Sequence, residues 1–292
     1  MSVLLCDSNC ELWHTTLKQL GIDFIPMPYM YGDKVYYYGM GEHTDFSAFY
    51  AAVRGGVVPK TQALNPEDYK RILEPYFKKG EDVLYISFSH AMSGTFNQLD
   101  TELKELAEAY PGRKCTVFDT NAISLGAGIQ VKAAAELKNS GASDEQILNF
   151  LRGFTNRVAV YFMVDDLMHL KRGGRLGAAS AVVGTLLAVK PVLTFDSHGG
   201  LSVIEKVMGR KKCIASLADK VVRSLTGTEY EVYVLDADCK EDGDKLADLI
   251  RERRPEAKIV RQTVGPVIGS HCGPGTLGVV FIADKRPIPL EK

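Results

Sequence analysis

Short apolar runs alternate with amphipathic stretches along nearly the whole chain, and this alternation limits the fold more than any other feature of the sequence. Val3–Cys6 and Asp82–Phe88 have the length of buried strands, whereas Phe96–Tyr110 spaces its apolar residues three and four apart, as a helix does. Strands that alternate with helices form βα units around a mainly parallel sheet. We therefore predict an α/β protein.

Two domains are expected because 292 residues exceed the usual size of a single core. We predict an N-terminal α/β domain of residues 1–160, with a mainly parallel sheet and flanking helices. Residues 161–292 are predicted to form a C-terminal domain with a mixed α+β sheet. The mixed sheet follows from the turn Ser197–Gly200, which joins the predicted strands Pro191–Phe195 and Leu201–Val207 in antiparallel fashion.

Several helix starts carry capping signals. Asn65 and Pro66 occupy the N-cap and first positions of one predicted helix, and Ser143 with Gln146 forms a capping box at another. The cluster Asp7–Asn9 is predicted to cap a helix that runs through Leu20. A small-residue helix is predicted after Arg175.

Composition excludes several classes of function. A net charge of −1 and a pI of about 6.6 argue against nucleic-acid binding, which needs clustered basic residues. The six cysteines form no CxxC pair, and neither metal-site nor nucleotide-binding motifs occur, so we predict no metal and no cofactor. With no signal peptide and no run near the ~18 apolar residues of a membrane span, a soluble cytoplasmic protein is expected.

Three segments combine glycine with polar side chains. Ser93-Gly94-Thr95 follows a strand and opens a helix, where free backbone N–H groups bind anions, although serine is also a common N-cap. Lys171–Arg175 is predicted as a loop whose Arg175 suits a carboxylate or phosphate, or else as a solvated turn. Gly269–Gly275 is predicted as a tight loop that turns His271 into a cleft, the alternative being a structural histidine.

Two further segments are uninformative by themselves. The segment Lys60–Pro66, which contains Thr61, looks like a helix-capping loop, and Arg210 in Met208–Lys212 looks like a surface charge. They gain meaning only from their order along the chain.

Taken in order, these segments resemble the DegV family of bacterial fatty-acid-binding proteins. The resemblance runs from about residue 3 to residue 282 and rests on motifs that are each weak alone. These motifs are Cys6-Asp7-Ser8, Pro59-Lys60-Thr61, Ser93-Gly94-Thr95, Leu170–Arg175, Leu186–Pro191, Arg210-Lys211-Lys212 and His271–Gly275. The sequence departs from the family after Thr61, where Gln62–Pro66 replaces the usual Ser-Gln-Pro-Ser.

The resemblance implies a two-domain DegV-like fold that buries a long-chain fatty acid in a tunnel. It implies that the carboxylate is surrounded by Thr61, Ser93, Gly94, Arg175, Arg210 and His271. A separate fatty acid kinase would convert the presented carboxyl group to an acyl phosphate, so this chain would not itself be an enzyme. Transient contact with a membrane surface is a further expectation, and the cluster Arg210-Lys211-Lys212 is a candidate surface for docking the kinase.

Two other functions remain open from the sequence. A hydrolase or acyltransferase would use Ser93 as nucleophile and His271 as base, with Asp119 or Asp7 as the orienting carboxylate. Ser93 does not lie in a GxSxG motif, which counts against this alternative. A carrier or sensor for another small lipid or anionic metabolite is the third hypothesis.

Overall fold

The computed structural model describes residues 2–177 and 189–291. Its strands are β1 Val3–Asp7, β2 Asp23–Ile25, β3 Pro28–Tyr31, β4 Lys34–Tyr37, β5 Lys60–Thr61, β6 Val83–Ser87, β7 Cys115–Asp119, β8 Val158–Met163, β9 Val189–Phe195, β10 Leu201–Met208, β11 Glu231–Asp236, β12 Lys258–Thr263 and β13 Leu277–Ile282. Its helices are α1 His14–Leu20, α2 Phe46–Arg54, α3 Pro66–Lys78, α4 Thr95–Ala109, α5 Leu125–Asn139, α6 Asp144–Phe154, α7 Leu167–Arg172, α8 Arg210–Ser224, α9 Lys240–Arg253 and α10 Pro266–Cys272. The predicted small-residue helix and residues 186–188 of the Leu186–Pro191 motif lie outside the described residues.

The chain divides into two compact units. The first comprises Met1–Met30, Val35–Thr44 and Thr61–Thr155, and the second comprises Tyr31–Lys34, Asp45–Lys60 and Asn156–Lys292. The division differs from a single boundary near residue 160, because two segments of the N-terminal half group with the second unit. One of them carries α2, whose Tyr50 donates a hydrogen bond to the carbonyl of Val264 at 2.8 Å.

The first unit is built on a parallel sheet in the order β2-β1-β6-β7. All five residues of β6 are buried, as expected for a strand with helices on both faces. On α4, Phe96, Leu99 and Leu106 are buried, whereas Leu103 is half-buried and the helix ends before Tyr110. The predicted mainly parallel α/β organisation of this half is confirmed.

The second unit contains a six-stranded sheet in the order β10-β9-β8-β13-β11-β12. Only β11 and β12 pair in parallel; the other neighbours are antiparallel, including the predicted hairpin of β9 and β10. The core between this sheet and the helices α8 and α9 includes Leu217, Leu246 and Phe281. The predicted mixed sheet is therefore confirmed.

Two of the predicted helix caps are confirmed, and one is wrong. Capping boxes form at Asn65 and at Ser143. Asp7 does not cap α1: its carboxylate accepts from the amide of Asn9 at 2.9 Å and caps a short 3-10 helix, Ser8–Cys10. This short helix ends at Glu11, whose φ of 54° turns the chain, so α1 begins only at His14.

The two glycine-containing segments of the C-terminal half are more helical than predicted. Helix α7 includes Lys171 and Arg172, and α10 includes His271, so neither segment is wholly a loop. Gly269, the first residue of the predicted tight loop, lies inside α10. A Cβ on Gly269 would be 2.5 Å from the hydroxyl oxygen of Tyr50, so close packing explains this glycine.

Candidate functional site

The first candidate surface lies at the carboxyl edge of the parallel sheet in the first unit. Strands β1, β6 and β7 end there at Asp7, Ser87 and Asp119. Carboxyl ends of parallel strands are where open α/β sheets bind ligands. The connection that leaves β6 carries the predicted residues Ser93 and Gly94.

Ser93 and Gly94 form a turn at the start of α4. A 3-10 helix, His90–Met92, precedes them, and Gly94 is the N-cap of α4. The hydroxyl oxygen of Ser93 accepts from the amide of Thr95 at 3.2 Å, which leaves its own proton available to an anion. A Cβ on the exposed Gly94 would have no neighbour within 4 Å, so the helix N-terminus is accessible.

Thr61 lies in the short strand β5 and is half-buried. Three residues later, the amide of Leu64 donates to the hydroxyl oxygen of Thr95 at 3.2 Å. The segment that carries Thr61 is thereby attached to the start of α4. The first unit thus links two of the segments that the sequence singled out.

Asp7 is fully buried beneath this edge. Its carboxylate accepts from the hydroxyl of Tyr85 at 2.9 Å and from the amide of Phe88 at 3.4 Å. Burial raises the pKa of Asp7 to about 6, because the loss of hydration outweighs these hydrogen bonds. The carboxylate of Asp7 is used in hydrogen bonds to β6 and to the loop that follows it. Asp7 is therefore not placed as the orienting acid of a hydrolase.

Ser87 and His90, to which the sequence analysis gave no role, lie at the same edge beside Asp119, one of the two candidate orienting acids. Ser87 Oγ lies 3.0 Å from His90 Nε2, and His90 Nδ1 lies 3.8 Å from Asp119 Oδ2. However, Ser87 is fully buried and donates to the carbonyl of Phe118 at 3.1 Å, so it is not an accessible nucleophile. The spacing Ser87-x-x-His90 was the only signal available, and Asp119 is distant in sequence.

In the second unit, Arg175, three residues after the end of α7, lies close enough to His271 of α10 for its charge to act on the imidazole. Burial, and to a smaller extent the charge of Arg175, lowers the pKa of His271 to about 4. His271 is therefore neutral at pH 7. Burial also lowers the pKa of the Arg175 guanidinium, which donates to the carbonyl of Gly173 at 2.5 Å.

Arg210 is not the surface charge that its sequence context suggested. It opens α8, and its guanidinium donates to Asp242 Oδ2 at 2.5 Å and to Asp165 Oδ1 at 3.2 Å. Lys190 Nζ also donates to Asp165 Oδ1, at 2.6 Å. Within the described part of the chain, the buried Nη2 of Arg210 has no hydrogen-bond partner. Arg210 is thus oriented by two carboxylates with one donor group still to satisfy.

The six predicted site residues fall into two groups. Thr61, Ser93 and Gly94 belong to the first unit and supply hydroxyl and amide donors. Arg175, Arg210 and His271 belong to the second unit and supply guanidinium groups and a neutral imidazole.

A cleft of about 320 Å³ in the second unit contains none of the six. It opens at the ends of β11 and β12, and Asp236, Asp238 and Glu241 contribute to its lining. Three carboxylates disfavour binding of another carboxylate. In the described ranges, no set of three or more His, Cys, Asp or Glu side chains could hold a metal ion, and no helix is long and apolar enough to span a bilayer.

Sequence comparison places the chain in a family. The model of the DegV family, described as uncharacterised proteins, matches residues 2–284. The chain belongs to the DegV family. A DegV domain-containing protein of Clostridium perfringens is 35% identical over 285 residues, covering 97% of this chain and 98% of that protein. The family predicted from the order of the motifs is confirmed.

Solved structures of other DegV family members have the same fold. One of them is a DegV family protein from Thermus thermophilus whose structure concerns fatty acid binding. It is 30% identical to this chain with a TM-score of 0.83, and the match covers 96% of this chain and 99% of that one. DegV from Bacillus subtilis, a fatty acid binding protein, is also 30% identical, with a TM-score of 0.81 and coverages of 96% and 98%. The predicted DegV-like fold is confirmed for this family member.

Proposed function

We propose that this DegV family member binds a long-chain fatty acid in a buried tunnel. The observation that carries the proposal is the likeness to the proteins from T. thermophilus and B. subtilis, which bind fatty acids and share 30% of their residues with this chain over nearly its full length. The absence of nucleotide motifs from the sequence fits a ligand carrier that is not an enzyme.

The carboxylate of the fatty acid is proposed to bind Thr61, Ser93, Gly94, Arg175, Arg210 and His271. A buried carboxylate is costly unless it is hydrogen-bonded or paired with a cation. Ser93 has a proton to donate, and the N-terminus of α4 adds a favourable dipole. Because His271 is neutral, it would donate a hydrogen bond without a full charge.

The acyl chain is proposed to provide most of the affinity. Burial of roughly 14 methylene groups at ~0.8 kcal/mol each gives about 11 kcal/mol before the entropy of association is subtracted. The polar residues then mainly fix the position of the carboxyl group. This division of roles suits a carrier that must present one end of its ligand.

The partner that receives the carboxyl group is proposed to be an ATP-dependent fatty acid kinase. The chain would act in the cytoplasm and contact a membrane surface transiently when it exchanges ligand. Lys211 and Lys212, both exposed at the start of α8, are the proposed kinase-docking residues. The kinase would supply the catalytic groups and the nucleotide.

Mass spectrometry tests the ligand class directly. The protein is purified from a bacterial host and measured first under native and then under denaturing conditions. A bound species with the mass of a fatty acid, released on denaturation, is the expected result. A ligand-free mass that is unchanged after incubation with palmitate and oleate would refute the proposed function.

A further inference from the structure

The hydroxyl of Thr95 is a junction between three elements of the first unit. Thr95 is fully buried at the first position of α4. Its oxygen accepts from the amide of Leu64 at 3.2 Å and lies 2.8 Å from the hydroxyl oxygen of Tyr69 on α3. Its own amide donates to Ser93 Oγ at 3.2 Å. One residue therefore contacts the segment after Thr61, the helix α3 and the Ser93 turn.

We infer that Thr95 is a positioning residue for the carboxylate site, supported by Tyr69. This inference rests on the proposed function, because it assigns a role within the same site. Thr95 has no contact with the ligand in this role. It fixes the segment that carries Thr61 and the turn that carries Ser93 relative to each other, so that their hydroxyls converge on one carboxyl group.

The hydrogen bond that ties the segment after Thr61 to Thr95 uses a backbone group of that segment and no side chain of it. The donor at residue 64 is a backbone amide, which every residue other than proline provides. The usual Ser-Gln-Pro-Ser run, counted directly from Thr61, would place proline at residue 64, so the amide of Leu64 gives this chain an attachment to α4 that the usual run cannot make. Leu64 is itself buried, which adds an apolar contact at the same point.

The positioning role requires the hydroxyl group of Thr95. A side chain of the same volume without the hydroxyl would not be sufficient. Valine has nearly the shape of threonine but would leave the Leu64 amide without this acceptor and the Tyr69 hydroxyl without this hydrogen bond. Buried donors without acceptors are unfavourable, so the loop should move to find other partners. Serine at this position keeps the oxygen and should keep the loop in place.

The test compares two ligands that differ only at the head group. Dissociation constants for palmitate and for methyl palmitate are measured by displacement of a fluorescent fatty acid from the wild type, Thr95→Val, Thr95→Ser and Tyr69→Phe. The wild type should prefer palmitate. Thr95→Val should reduce this preference about three- to tenfold, the effect of one hydrogen bond, and Thr95→Ser should restore it.

A purely structural role for Thr95 predicts a different result. Both ligands would then lose affinity equally in Thr95→Val, the preference would be unchanged, and the inference would be overturned. If Thr95→Val does not fold, Tyr69→Phe decides in the same way, because it removes only one of the two bonds. Wild-type protein that binds neither ligand would instead reject the proposed function itself.

Discussion

Gly173 lies directly against the imidazole of His271: a Cβ on this glycine would be 2.2 Å from His271 Nδ1. The reverse contact exists as well, because a Cβ on Gly273 would be 2.4 Å from Cδ2 of His169. Each glycine is the C-cap of its own helix, α7 or α10, and each histidine belongs to the other helix. This reciprocal contact explains why glycine follows both helices so closely.

Gly173→Ala should therefore displace His271. We expect a loss of about 1–3 kcal/mol in the free energy of unfolding, the usual effect of overpacking, and weaker fatty acid binding. Gly153→Ala is the matched control, because it lies in α6 with no atom within 4 Å of its Cβ position. The control should be neutral or slightly more stable. Urea unfolding measures both, and equal stability of the two variants would contradict the contact.

Stability should depend on pH through two groups with opposite effects. The pKa of Asp7 is raised from 3.8 to about 6, so its contribution to stability is present below pH 3.8 and is lost as the pH rises to 6. The pKa of His271 is lowered from 6.5 to about 4, so its contribution is present above pH 6.5 and is lost as the pH falls to 4. Each amounts to about 3 kcal/mol, and they nearly cancel.

Single variants should reveal these hidden contributions. Asp7→Asn should give a free energy of unfolding that increases more steeply than that of the wild type between pH 4 and 6. His271→Gln should shift the slope in the opposite direction. Urea unfolding at several pH values measures both slopes, and variants that keep the wild-type slope would mean that neither group titrates as described.

Ser93→Ala and Thr61→Ala should affect presentation of the carboxyl group more than uptake of the ligand. The acyl chain contributes most of the proposed affinity, so uptake should fall less than about threefold. Acyl-phosphate formation by a fatty acid kinase should fall at least tenfold, because the reacting group is misplaced. Thr101→Ala, an exposed position on α4, is the control. Equal loss of uptake and phosphorylation would reject this separation of roles.

Reversing the charge of Lys211 and Lys212 should weaken docking of the kinase. The double variant with Glu at both positions is expected to raise the KM of the kinase for the loaded carrier, with fatty acid uptake unchanged. Charge reversal at Lys79 and Lys104, exposed in the first unit, serves as the control. A KM equal to that of the wild type would remove α8 from the docking surface.

Local patterns predicted the elements of this fold well. The run that forms β6 and the capping boxes at Asn65 and Ser143 depend on residues within a few positions of one another. These patterns are reliable because residues that are close in sequence are also close in the folded structure. The order of weak motifs then predicted the family, and the match to the family model confirmed this prediction.

Contacts between distant residues were not predictable in the same way. His271 was placed on a loop because glycines surround it, yet Gly269 lies inside α10 against Tyr50 of α2, and Gly273 follows α10 against His169 of α7. The grouping of Ser87 and His90 with Asp119 likewise depends on two strands that pair only in the folded sheet. A single sequence contains no record of such pairings.

The membership of α2 in the second unit has a consequence for synthesis of the chain. Tyr50 is separated from its acceptor at Val264 by 214 residues. At about 5–20 residues per second, a ribosome needs on the order of 10–40 s to make that stretch. During this interval α2 has already been synthesised, but the sheet of the second unit has not. The buried residues of α2, Phe49, Tyr50 and Val53, therefore lack their partners in that unit. The nascent chain should therefore be a substrate for holdase chaperones until its C-terminal strands emerge.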